Sequence, residues 1–156
     1  MKKLFTILIL SVSAIKGASA QNPTHQHSQS FNLGKSGLAI SGYDPVAYFT
    51  AGKPIEGKKE NSLTVDGVTY QFSTPHNKEL FRADPARYQP QFGGWCAYAM
   101  GASGEKVDVD PETFKVLDGK LYLFYNKFFN NTLKSWNKDE QSLKTRADAN
   151  WVKIDH

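Results

Sequence analysis

Leu63-Thr64-Val65-Asp66-Gly67-Val68-Thr69-Tyr70-Gln71-Phe72, followed at once by Ser73-Thr74-Pro75, decides how the chain is read. β-Branched and aromatic residues flank an Asp-Gly pair, which supplies the positive φ values of a type I′ turn whose twist matches that of the strands. The stretch is a hairpin. Thr74 then offers a capping oxygen, and Pro75 at the first helical position loses no needed hydrogen bond, so a helix starts there. The same hairpin signature returns in Phe114-Lys115-Val116-Leu117 and Lys120-Leu121-Tyr122-Leu123-Phe124-Tyr125, around Asp118-Gly119. Asp44-Pro45, Asp84-Pro85 and Asp110-Pro111 repeat the cap-and-proline signal. They predict short helices over Pro45–Phe49 and Pro85–Tyr88, besides Pro75–Arg82, with Pro111 opening a single turn before the second hairpin. Capping accounts for Asp44, Asp84 and Asp110 without a catalytic role. From Lys138 onward, Leu143, Ala147, Trp151 and Ile154 fall at helical steps and form an apolar stripe. Each Asp-Gly hairpin is followed by a helical segment, the second over Phe128–Trp136, which suggests a repeated unit. The ordering predicts an α+β fold: a small single domain of β-hairpins packed with short helices and a C-terminal helix.

The N-terminus reads differently. Met1-Lys2-Lys3 is positive, Leu4 to Ile15 is largely apolar, and Ala18-Ser19-Ala20 places small residues at a cleavage site. This is the three-part pattern of a secretory signal peptide. Twelve apolar residues reach roughly 18 Å as a helix, short of a ~30 Å hydrocarbon core. Residues 1–20 are therefore expected to be removed on export to the periplasm or outside the cell, leaving a soluble chain without a membrane span from Gln21. Residues 21–36 are polar and predict a flexible leader, and 37–156 the folded domain. Within the leader, His25-Gln26-His27 could hold Cu(II) or Zn(II), although chance histidines in a polar tail account for it as well. Lys2, Lys3 and Lys16 supply three of the 19 basic residues in the 156-residue chain, against 15 acidic ones. Without them the charge nearly vanishes, so nucleic acid is not an expected partner. A single cysteine excludes an intramolecular disulfide. No phosphate-binding loop, dinucleotide fingerprint, nucleophile elbow or zinc-protease helix is present. Asn130-Asn131-Thr132 matches a glycosylation acceptor and is discounted without a eukaryotic context.

Gly42-Tyr43-Asp44-Pro45-Val46-Ala47-Tyr48-Phe49, Tyr70-Gln71-Phe72-Ser73, Phe81-Arg82-Ala83-Asp84-Pro85-Ala86-Arg87-Tyr88 and Gly93-Gly94-Trp95-Cys96-Ala97-Tyr98-Ala99 together resemble the exported YHS-domain proteins. The resemblance spans residues 40–151. The wider family is similar to metal-binding TRASH modules, whose hairpin and following helix carry paired thiols. Here those thiol positions fall on Ser73 and Asn77, neither of which is a soft ligand.

The remaining chemistry rests on Cys96. An unpaired thiol in an oxidising compartment needs protection or use. With Trp95–Met100 as a strand, Cys96 and Met100 share a face and present soft ligands of the kind that select Cu(I). His76, in the first turn of a helix, is a further candidate ligand, or a base for the thiol. Its alternative is a solvent-facing helix residue. Gly93-Gly94 allows close backbone approach, or exposure of the side chain that follows. Equally, free cysteine is among the most buried residue types. The aromatic residues serve as core. Three classes stand open. The first is a non-catalytic exported protein binding copper before zinc through Cys96, helped by Met100 or His76. The second is a metal-free structural or interaction module with Cys96 buried and an unknown protein partner. The third is a thiol-dependent redox protein.

Overall fold

The computed structural model describes residues 30–155. The expected signal segment 1–20, the expected start at Gln21 and the His25-Gln26-His27 pair lie outside the described residues. The fold is α+β, as the hairpins and caps predict. In chain order it contains α1 (Ala47–Thr50), the strands β1 (Lys58–Val65) and β2 (Val68–Phe72), then α2 (Pro75–Ala83), α3 (Pro85–Tyr88) and α4 (Ala97–Ala102). There follow β3 (Asp110–Leu117), β4 (Lys120–Phe124), the short β5 (Asn126–Lys127) and β6 (Asn130–Asn131), α5 (Thr132–Trp136) and α6 (Glu140–Ile154). Among the described residues, strands pair within three antiparallel hairpins, β1 with β2, β3 with β4 and β5 with β6. Among the described residues, no helix is long and apolar enough to cross a membrane.

Both Asp-Gly turns are type I′. Asp66 and Gly67 have φ of 50° and 80°, and Asp118 and Gly119 have 51° and 71°. Val65 pairs with Val68, and Leu117 with Lys120, so each turn sets the register of its ladder. Thr74 caps α2 by accepting from the Asn77 amide, and Asp84 caps α3 by accepting from Arg87. Pro111 opens no helix. The Asp110 carboxylate accepts from the Glu112 amide and the Thr113 hydroxyl, and this turn forms a bulge inside β3.

The repeat hinted at by the hairpins extends over most of the domain, at a spacing of 52 residues. Positive φ recurs in register at Ile40 and Phe92, Ser41 and Gly93, Gly42 and Gly94, Gly52 and Gly104, Asp66 and Asp118, and Gly67 and Gly119. The bulge between Lys58 and Ser62 in β1 matches that between Asp110 and Phe114 in β3. Two parallel bridges, Leu38 to Thr69 and Pro90 to Leu121, keep the same spacing. So do the bonds from the Asp44 amide to Ile55 and from the Cys96 amide to Val107. Side chains obscure this identity; Tyr70 and Tyr122, and Phe72 and Phe124, are among the few that match.

Each repeat builds its own core. Val46, Tyr48, Val68, Tyr70, Phe72 and Phe81 lead the first; Phe92, Met100, Tyr122, Phe124 and Trp136 lead the second. β4 stands between them. Because successive strand residues point to opposite faces, Leu121 and Leu123 join the first core while Tyr122 and Phe124 join the second. The predicted stripe of α6 is realised, with Leu143 and Ala147 buried in the second core and Trp151 and Ile154 packed beside it. Packing begins within the segment expected to be a leader: Phe31 and Leu33 lie against the first core, and the Asn32 amide donates to Gly93 O at 2.8 Å.

Two further predicted elements are corrected. Trp95–Met100 is not a strand, since Ala97–Ala102 is helical. Alanine and methionine are strong helix formers, and a short apolar run carries no period that separates strand from helix. Phe128–Trp136 is not one helix either. Phe128 and Phe129, at φ of 53° and 62°, form the turn of the β5–β6 hairpin, and helix begins only at Thr132.

Candidate functional site

Cys96 lies immediately before α4 and is fully buried, at 0% exposure. Its sulfur accepts from the Tyr125 amide at 3.4 Å and lies 3.4 Å from the Thr132 hydroxyl, which itself donates to Tyr125 O at 2.9 Å. The Thr132 amide donates to the same Tyr125 carbonyl at 3.0 Å. Tyr125 and Thr132 are the two residues that flank the β5–β6 hairpin. The thiol is thus a clasp across the base of that hairpin, inside the protein.

Met100 is also fully buried, on α4, in the second core. With the strand replaced by a helix, the alternation expected to pair it with Cys96 is absent; the Met100 amide donates to Cys96 O at 3.0 Å as the first helical bond. His76 is exposed near the start of α2, in the first repeat, and forms no hydrogen bond with the sulfur among those of the described residues. No group of three or more His, Cys, Asp or Glu side chains is arranged to hold a metal ion among the described residues.

The glycine pair ahead of Cys96 serves the backbone. Gly93 and Gly94 have φ of 58° and 82°, and a Cβ on Gly93 would stand 2.9 Å from the Trp151 ring and 3.0 Å from Ser30 O. Only a residue without a side chain lets the 30–32 segment and α6 close over this turn.

Asp44 occupies the position in the first repeat that Cys96 occupies in the second. It too is fully buried. Its Oδ1 accepts from the Val46 amide at 2.9 Å and the Ala47 amide at 3.3 Å, the expected capping role. Its Oδ2 accepts from the Ser73 amide at 2.8 Å, the Ser73 hydroxyl at 2.6 Å and Asn77 Nδ2 at 2.7 Å. Ser73 and Asn77, read from sequence as replacing family thiols, therefore join β2 and α2 to a single buried carboxylate. The Ser73 amide meets Asp44 as the Tyr125 amide meets Cys96, one repeat later. Sequence reading treats Asp44 as a cap and misses its second oxygen; the spacing of Asp44 and Cys96 relative to the two Asp-Gly turns was the available signal.

The hairpin that Cys96 clasps has no counterpart in the first repeat. There, β2 passes directly through Ser73 and Thr74 into α2; here, Asn126 to Asn131 intervene before α5. At its tip Phe128 is 87% exposed, and Phe129 is exposed in full. Both hold positive φ, a region that costs an L-residue on the order of 1 kcal/mol and that such turns ordinarily give to Asn or Gly. The base is firmly tied. Asn131 caps α5 through the Leu133 amide, and Asn126 Nδ2 donates to Thr113 Oγ1 at 2.9 Å.

Buried tyrosines in both cores are structural phenols. Burial pushes Tyr48 well above the ordinary range, and its hydroxyl donates to Pro111 O at 2.8 Å. Burial likewise pushes Tyr122 up to about 12. No family model matches the chain, and neither a curated protein nor a solved structure matches it.

Proposed function

We propose that this chain is an exported, non-catalytic interaction module of the YHS type, in which Cys96 is a structural thiol. Its working element is the hairpin that this thiol clasps. The observation that carries the reading is the enclosure of the Cys96 sulfur between the Tyr125 amide and the Thr132 hydroxyl, with no exposed surface. A sulfur so placed is withheld from oxidants and from nucleophilic work, because reactivity requires an accessible thiolate. It answers the problem that an unpaired cysteine poses in an oxidising compartment by burial. Export rests on the signal signature of residues 1–20, and the YHS assignment on the residues quoted above.

The competing reading, copper or zinc held by Cys96 with Met100 or His76, makes a different prediction for the same experiment. Under reducing conditions, copper(I) titration against a competing chelator is expected to give the same uptake for the parent and Cys96→Ser. A thiol reagent is expected to label native Cys96 only at the rate of unfolding. One copper(I) per chain, lost in Cys96→Ser, would overturn the structural reading in favour of the metal site. Rapid labelling of the folded protein would overturn it in favour of a redox thiol.

A further inference from the structure

We propose that the Phe128–Phe129 turn is a lipid-contact tip that docks the folded domain on an anionic membrane surface. The inference deepens the interaction-module reading and rests on it. Three observations converge. First, the hairpin is surplus to the fold, because the first repeat makes the same strand-to-helix passage without it. Second, the two most exposed large apolar side chains of the described residues stand side by side at its tip, both at positive φ. Strain of this kind persists where a surrounding structure holds it for a purpose, and the Cys96, Asn126 and Asn131 contacts hold it here.

Third, the segment that carries the tip has charge of one sign, while Asp108 shares with Lys127 the depression at the hairpin's foot. From Tyr125 to Asn137 the chain carries Lys127 and Lys134 and no acidic residue, and both lysines are exposed. Lys127 belongs to the ladder at the foot of the turn, paired with Asn130. A protein partner in a stable complex needs a broad complementary face. A convex two-ring tip set among polar and cationic residues offers little such area. It fits a soft interface, where aromatic rings settle at the headgroup level and nearby lysines meet anionic lipid. Two rings form a weak, reversible anchor, since even a whole acyl chain binds membranes only marginally.

The test compares the parent with Phe128→Asn/Phe129→Gly, both recovered from the export compartment of expressing cells. Asn-Gly is the preferred type I′ pair, so this variant keeps the hairpin and removes only the rings. Vesicles of equimolar phosphatidylcholine and phosphatidylglycerol are the probe, with pure phosphatidylcholine as the control. The parent is expected to co-sediment with the anionic vesicles, less so as salt rises, and the double variant to partition roughly tenfold or more weakly. A Phe128→Trp variant reports the tip itself: its added emission should shift to the blue on vesicles and be quenched by lipids brominated near the headgroup. Equal partition of parent and double variant, or added emission from Phe128→Trp that the brominated lipids leave unquenched, would overturn the inference. Self-association of the parent that the double variant abolishes, without vesicle binding, would overturn it in favour of a protein contact. None of these results moves the labelling of Cys96, so failure of the lipid contact is distinguishable from failure of the structural-thiol reading.

Discussion

Replacing Asp44 by asparagine changes one atom and tests how the first repeat is held together. The carboxylate is buried and accepts five hydrogen bonds, two on Oδ1 and three on Oδ2. If the new amide nitrogen takes the Oδ1 place, it faces the Val46 and Ala47 amides and orphans both. In the Oδ2 place, the Ser73 hydroxyl can turn to accept and the Asn77 amide can rotate to present its oxygen. The Ser73 amide, fixed by the backbone, is then left facing a donor. That second arrangement is the cheaper one. It costs about 1–3 kcal/mol for the orphaned amide. The bonds that remain lose their charge assistance, which adds roughly another 1 kcal/mol. Asp44→Asn is thus expected to lose about 2–4 kcal/mol, whereas Ser73→Ala, which deletes one of five donors, loses less than ~2 kcal/mol. Urea unfolding followed by far-UV and near-UV circular dichroism measures both, provided the denaturant slope stays constant. An Asp44→Asn protein within about 0.5 kcal/mol of the parent would refute the reasoning, since two or more charge-assisted bonds would then contribute nothing.

Gly101→Ala is expected to destabilise by about 2–4 kcal/mol despite the better helix former, because the new Cβ would stand 2.4 Å from Leu143 O. Pushing α6 away also strains the bonds from Arg146 Nε to Gly101 O and from Asn150 Nδ2 to Met100 O; a thermal midpoint equal to or above the parent's would show that the helices do not touch there. Tyr122→Phe and Tyr48→Phe should move in opposite directions. The Tyr122 hydroxyl is buried without a partner among the described residues, so its removal is neutral or stabilising by up to ~1 kcal/mol, whereas Tyr48→Phe forfeits the bond to Pro111 O and costs about 1 kcal/mol, both read from urea midpoints. Glu140 is held below the ordinary carboxylate range by its hydrogen bond to Lys115, and it also accepts from Trp136 Nε1. A depressed carboxyl lends stability that is present above its unfolded pKa and is lost as pH falls through its folded one. Glu140→Gln keeps an acceptor for Trp136, so it should cost under ~1 kcal/mol at neutral pH, and that difference should shrink as pH falls below the ordinary carboxylate value and vanish once pH has passed below the depressed folded one.

Local chemistry determined a good deal of this protein. Asp66-Gly67 and Asp118-Gly119 fix two ladders because a type I′ turn is satisfied by two adjacent residues. Thr74-Pro75 and Asp84-Pro85 fix two helix starts because capping reaches only three residues along the chain. The stripe of α6 was legible for the same reason, its period lying within one element. What failed was also local in form but decided elsewhere. Ala97–Ala102 became a helix where its Gly101 could meet Leu143, and Phe128-Phe129 took a turn that neither residue prefers because contacts at the hairpin's base hold it closed. The repeat escaped sequence reading almost entirely, since it is carried by backbone angles and bridges while its side chains have diverged. Above all, only the tertiary structure could decide the surroundings of Asp44 and Cys96. A buried acceptor is defined by the groups that converge on it, and the Ser73 and Tyr125 amides that complete these two sites each arrive from 29 positions away.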